Sequence, residues 1–197
     1  MGLALARAAV DRGHPTTLLL GPVDVKPSPM EGLTLHRFET TADLQALLRE
    51  HWPAADLLLM AAAVADFIPR PLAPPGAKAS RLDGCTQVHL DPAPDLLHAM
   101  ATQRRPGQVL VGFALEAGAH RLEKAAAKLK RKGIDAIVAN PLDTMDAPDI
   151  LGSLLLADGE ILSPSSVMAK DAFARWLLDQ LERAFPCTGP VACPPSV

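Results

Sequence analysis

Short apolar runs alternate with helical patterns along most of this chain, and that alternation restricts its fold more than any other feature. Thr16 to Leu20, Leu33 to Phe38, Leu57 to Ala61, Val109 to Phe113 and Ile134 to Ala139 have the length and composition of buried strands. Between them, Gly2 to Asp11, the stretch from Thr40 or Thr41 to Glu50, Leu96 to Ala101 and His120 to Lys132 carry helical spacing. In the first helix Leu3, Ala6 and Val10 share a side and Gly13 is a stop. In the second, Leu44, Leu47 and Leu48 face the sheet. Such alternation builds βαβ units, hence an α/β fold with a mostly parallel sheet and helices on both faces. The last third departs from it. Ser153 to Leu156 and Glu160 to Leu162 read as a β-hairpin around Asp158-Gly159. Ser165 or Ser166 then caps a closing helix, Val167 to Arg183, with Phe173, Trp176, Leu177 and Leu181 on its apolar face. A chain of 197 residues suits one domain, expected over residues 1–185, with the Pro-rich tail 186–197 expected to be disordered.

The run Asp56-Leu-Leu-Leu-Met-Ala-Ala-Ala-Val-Ala-Asp66-Phe67 is read as the central strand, ending in small residues and a carboxylate. A Leu-Ala run also suits buried helix. Its short length, between Pro53 and the prolines after Asp66, favours the strand. In an open α/β sheet ligands gather at the carboxyl ends of strands, so small residues there leave room for a guest. Asp66 suits a magnesium ion or a sugar hydroxyl, or equally caps a turn. From Asp66 to Asp83, Pro69, Pro71, Pro74 and Pro75 exclude helix or ladder and make a loop or lid. Lys78 in this loop is either solvated or closes over the site. Thr86 to Leu90 then reads as a short strand, and Pro94 lies near the first turn of the next helix.

Lys124, Lys128, Lys130, Arg131 and Lys132 form the densest basic feature. Residues three or four apart on a helix share a face, so two or three ammonium groups can converge on an anion. Basic residues are also favourable in the last turns of any helix, which leaves a purely structural reading open. The net charge of -3 gives no general pull toward nucleic acid or anionic lipid, and the chain has no Tyr for a base-stacking platform. The sequence has neither a membrane-length apolar run nor a secretory signal pattern, and the expected location is cytoplasmic. Cys85, Cys187 and Cys193 suggest isolated thiols, and the six His residues lack metal-ligand spacing. P-loop, dinucleotide glycine and nucleophile-elbow motifs are absent.

Taken together and in order, several segments resemble the phosphopantothenate–cysteine ligase family. They are Met60-Ala-Ala-Ala-Val-Ala-Asp66-Phe67, Lys78, Pro94-Asp95, Val111-Gly-Phe113-Ala-x-Glu116 and Lys128-x-x-x-Lys132-Gly-x-Asp135-x-Ile-Val-Ala-Asn140. In bacteria this family forms the carboxy-terminal half of a bifunctional coenzyme A biosynthesis flavoprotein, and the resemblance spans about residues 1 to 183. It implies a Rossmann-like fold, a homodimer, and CTP with Mg2+. It also implies 4'-phosphopantothenate and L-cysteine as the other substrates. FMN belongs to the other half and is not expected here.

The implied reaction forms an acyl-cytidylate from the phosphopantothenate carboxylate, and cysteine then displaces CMP. By resemblance, Met60, Ala61 and Ala62 lie against the nucleotide and Asp66 holds its ribose or metal side. Lys78 closes over the intermediate as the catalytic lysine. Pro94, Asp95, Leu96 and Leu97 present a helix amino terminus to phosphate, a placement that helix electrostatics also favours. Phe113 packs on the nucleotide, Lys128 and Lys132 hold the triphosphate, and Asn140 reads the base. Family members carry a strand, a loop and an Asn-x-Ser-Ser-Gly-Lys segment ahead of the position of Met1, which implies a start assigned inside the domain, or a fragment. The family's Lys-x-Lys-Lys loop reads Lys78-Ala-Ser-Arg81 here, and Asp146, Asp149 and Leu151 stand where its Phe-x-x-Asp-x-Asn pattern falls. A non-catalytic nucleotide-binding or assembly subunit is the alternative. A short-chain dehydrogenase relative is disfavoured by the missing glycine fingerprint and the absence of Tyr.

Overall fold

The computed structural model describes residues 1–24, 27–70, 87–116, 118, 120–142 and 147–186. Helix α1 (Gly2–Val10) leads to strand β1 (Thr16–Leu20), which pairs in parallel with β2 (Leu33–Arg37). Helix α2 (Thr41–His51) begins with a reciprocal capping box: the Asp43 amide donates to Thr40 Oγ1 (3.1 Å), and the Thr40 amide donates to Asp43 Oδ2 (2.9 Å). Leu44 and Leu48 are buried, whereas Leu47 is half-buried. Strand β3 (Leu57–Met60) follows, then β4 (Phe67–Pro69), β5 (Leu90–Pro92) and helix α3 (Leu96–Thr102). Next come β6 (Val109–Glu116), α4 (Arg121–Lys132) and β7 (Ala136–Pro141). The remainder is β8 (Asp149–Ile150), β9 (Ser153–Leu156), β10 (Ile161–Leu162), β11 (Met168–Ala169) and α5 (Lys170–Ala184).

The main sheet has five strands in the order β10-β9-β7-β6-β3. Strands β3, β6 and β7 run parallel, in a register that sets Met60 opposite Gly112 and Leu115 opposite Asn140. The β9-β10 hairpin adds antiparallel strands, as its turn residues predict. Side chains alternate between two cores. Val111, Ala136, Val138, Leu154 and Leu156 turn toward α1 and α5, where Phe173 and Leu177 are fully buried. Leu110, Ala114, Ile137, Ala139 and Leu155 turn toward α2, α3 and α4. The expected α/β architecture with helices on both faces is therefore present.

Several expected details shift. Strand β3 is an edge of the main sheet, not its centre: among the described residues it is paired on one side, with β6, while β1 pairs with β2 in a separate ribbon. Leu19 and Phe38 from that ribbon nevertheless share a core with Leu58 and Met60. Helix α1 buries Ala4, Leu5 and Ala8 against the α5 side, while Leu3 and Ala6 cover β1. It is packed on two sides, which its small alanines permit. The proline-rich stretch after Asp66 was expected to form no ladder, yet β4 and β5 pair antiparallel, with prolines tolerated at the ends of a two-stranded ribbon. The helix after Pro94 is capped by Asp95, which places Pro94 ahead of the cap. Helix α5 starts later than expected because Met168 and Ala169 pair with β8 and the Lys170 amide donates to the Pro148 carbonyl (3.2 Å); Ser165 and Ser166 do not cap it. Helix α4 stops at Gly133 as expected, with φ of 66° in the left-handed region.

Candidate functional site

Two features stand out around the parallel strands. The first is a cleft of about 160 Å³ where β1, β2 and β3 end, lined by Pro22, Phe38, the Thr40 cap of α2 and Ala62 to Ala65. Small side chains after β3 keep it open. Met60 packs into the core beneath α2, Ala61 packs toward the α1 side, and Ala62 is exposed in the cleft wall. Asp66 is exposed, and its carbonyl accepts a hydrogen bond from the Ala93 amide (2.9 Å), which ties the end of this segment to the approach to α3.

The second feature is a pair of lysine–carboxylate contacts one helical turn apart on α4. Lys128 is ion-paired with Glu116, the last residue of β6, whose side chain is 11% exposed. Lys132 Nζ donates to Asp95 Oδ2 at 2.6 Å. Asp95 Oδ1 accepts from the His98 amide (3.1 Å), and His98 Nδ1 lies 3.1 Å from the Lys132 carbonyl oxygen, so the first turn of α3 is fastened to the last turn of α4. Burial of Asp95 works against its charge. The Lys132 ammonium and the His98 amide outweigh it and hold the carboxyl below its ordinary value of 3.8. Lys124, one turn before Lys128, is exposed.

The helix terminus expected to face phosphate is therefore filled by its own carboxylate. Leu96 and Leu97 are buried, and Leu97 packs so closely on Gly112 that a Cβ there would come within 3.0 Å of Leu97 Cδ2. Phe113 and Asn140 lie on the α5 face of the sheet, opposite the face that carries Glu116 and α4. Phe113 packs beside the core there, and Asn140 is the next-to-last residue of β7, one short of the strand end at which the sequence puts it. The Asn140 Oδ1 atom is buried with no hydrogen-bond donor among the described residues. Gly152 makes room for it, since a Cβ there would meet that oxygen at 2.5 Å and Phe173 Cζ at 2.7 Å. Lys78 and Asp146 lie outside the described residues, as do Cys85 and the tail from residue 187.

Glu116 ends a sequence motif, but its pairing with Lys128 depends on how α4 folds back over β6. Asp135 serves the opposite end of the sheet: its carboxylate accepts from the Leu110 amide (2.8 Å) and from Arg104 Nη1 (2.7 Å to Oδ2), bracing the start of β6. Among the described residues no cluster of three His, Cys, Asp or Glu side chains is placed to hold a metal ion. No helix among them is long and apolar enough to cross a membrane.

A sheet with a parallel β3-β6-β7 core, helices on both faces and a cleft where β1, β2 and β3 end defines a Rossmann-like α/β domain. The chain belongs to the DNA/pantothenate metabolism flavoprotein C-terminal domain family, whose model matches residues 1–184. It is 36% identical over 173 residues to the coenzyme A biosynthesis bifunctional protein CoaBC of Mycobacterium bovis, covering 80% of this chain and 40% of that one. It is 37% identical over 142 residues to a cysteine/cysteine sulfinic acid decarboxylase of an unknown prokaryotic organism, covering 72% of this chain and 38% of that one. The crystal structure of the C-terminal domain of a CoaBC protein superposes with a TM-score of 0.74 at 27% identity, covering 93% of this chain and 81% of that one. The chain thus spans about two fifths of the length of these curated relatives.

Proposed function

We propose that residues 1–185 form one ligase domain that joins 4'-phosphopantothenate to L-cysteine with CTP, in the cytoplasm and as a homodimer. The observation that carries this reading is the ammonium pair on α4, with Lys128 meeting Glu116 at the carboxyl end of β6 and Lys132 meeting Asp95 at the start of α3, in a chain of this family. Lys128 and Lys132 take the triphosphate. Asn140 Oδ1, buried without a donor among the described residues, suits the exocyclic amine of cytosine, which is a donor. Met60, Ala61 and Ala62 leave space for the nucleoside, and Phe113 meets it from the α5 side that Ala61 shares. Asp66 faces the ribose side, and the Pro94 to Leu97 corner borders the phosphates.

The phosphopantothenate carboxylate oxygen attacks the α-phosphorus of CTP and pyrophosphate leaves. The cysteine amine then attacks the acyl carbon, gives up a proton and displaces CMP. Lys78 stabilises the charge that develops on the transferring phosphate. Magnesium arriving with the substrate would supply charge neutralisation to the triphosphate, and Asp66, Asp95 or Glu116 would each offer it a hard carboxylate oxygen, since the described residues build no cage of their own. FMN has no part in this domain's reaction.

A dimer is favoured by the β4-β5 ribbon. Its register puts Phe67, Pro69, Leu90 and Pro92 on one face, and Phe67 and Leu90 are each 56% exposed. An isolated two-stranded ribbon is marginal alone, and a second copy would cover this apolar face. A second reading, a non-catalytic nucleotide-binding or assembly subunit, is favoured by the unpaired edge of β3. Calorimetric titration with CTP and Mg2+ separates the two when done on this chain and on a polypeptide extended upstream by one strand. Binding by both without pyrophosphate release from either, phosphopantothenate being present, favours the second.

A further inference from the structure

The two lysines of the α4 clamp are not free cations. Lys128 is matched by Glu116 and Lys132 by Asp95, each carboxylate coming from a different element, so two ammonium and two carboxylate groups cancel. Neither carboxylate is incidental. Glu116 is nine-tenths covered at the end of β6, and Asp95 is held in place by its cap on α3. A bare polyphosphate approaching this cluster meets two fixed negative charges as well as two positive ones. It must draw each lysine away from a good partner, with exposed Lys124, one turn before Lys128, as the surplus cation on that face to offset part of the loss. A polyphosphate that carries a divalent cation meets a different balance, because the same carboxylates attract the cation while the lysines take the phosphate oxygens.

We propose that Glu116 and Asp95 are internal counter-ions that set ligand specificity: they reject metal-free polyphosphate at Lys128 and Lys132 and favour polyphosphate complexed with a divalent cation. This rests on the reading of the two lysines as a phosphate clamp. Glu116 and Asp95 are positioning residues in this role, acting through the lysines and the ligand's metal ion.

Inorganic tripolyphosphate is the probe, titrated calorimetrically into the full chain with EDTA or with excess Mg2+. The variants are Glu116→Gln, Asp95→Asn and Lys128→Ala. Asn still caps a helix, so Asp95→Asn keeps the start of α3, and a thermal melt checks each fold. The wild type is expected to prefer the Mg2+ complex. Glu116→Gln and Asp95→Asn should each tighten metal-free binding on the order of 3- to 10-fold and narrow the preference for the complex. Loss of folding alone would weaken both forms together. If Lys128→Ala weakens binding while the folded carboxylate variants bind metal-free tripolyphosphate no more tightly than wild type, the counter-ion proposal is overturned and the clamp stands. If the wild type binds neither form, or Lys128→Ala changes nothing, the clamp reading falls and the proposal with it.

Discussion

Lys128 with Glu116 and Lys132 with Asp95 tie separate elements together, and each pairing has a measurable consequence. Lys128→Ala should weaken binding of CTP with Mg2+ about 10-fold or more, the loss of one charge-assisted contact to phosphate; unchanged affinity in a titration would remove Lys128 from the clamp. The Asp95 carboxyl lies below its ordinary value of 3.8 in the folded chain. Its contribution to stability is therefore fully present above that ordinary value and is lost as the pH falls through the lowered folded value. The Asp95 side-chain carboxyl carbon resonance should titrate below 3.8 and stay constant above that acid window. A midpoint at or above 3.8 would contradict the pairing. Gly152 gives a packing prediction, because a Cβ there would press on both Asn140 and Phe173. Gly152→Ala should destabilise the fold by about 1 to 3 kcal/mol in denaturant unfolding. These pairings were only partly legible beforehand. The lysine spacing pointed to an anion, but the carboxylates that neutralise both lysines are 12 and 37 residues away in the chain and meet them only through the fold.

At the scale of elements, most local signals held, the Ser165 or Ser166 cap being an exception, and distant pairings were not legible. Thr40 and Asp43 announced the start of α2, Gly133 announced the end of α4, and Asp158-Gly159 announced the hairpin. Each uses backbone chemistry within a few residues. The β4-β5 ribbon joins segments some twenty residues apart across prolines, and β11 takes Met168 and Ala169 from the expected start of α5; neither pairing leaves a local trace. Strand β3 reads as central because it is apolar, yet it is hydrogen-bonded on one side among the described residues. Its amides should exchange with solvent faster than those of β6, which has a partner on each side. A polypeptide extended upstream by one strand should slow exchange at Leu57 to Met60 and raise the melting temperature. Unchanged exchange in the extended chain would mean that the edge stays open.

For the whole molecule, an ammonium pair, a cleft and an apolar ribbon together support the proposed ligase reading. If the ribbon is the dimer contact, Phe67→Asp should shift the sedimentation coefficient from dimer toward monomer at micromolar concentration while leaving the thermal melt of each protomer nearly unchanged. A monomeric wild type would place no second copy on that face. The most direct measurement of the central claim is pyrophosphate release by the polypeptide extended upstream, mixed with CTP, Mg2+ and 4'-phosphopantothenate. Without cysteine a burst stoichiometric with sites is predicted, and with L-cysteine continuous turnover producing CMP. Tight CTP binding with no pyrophosphate in either mixture would contradict the ligase assignment.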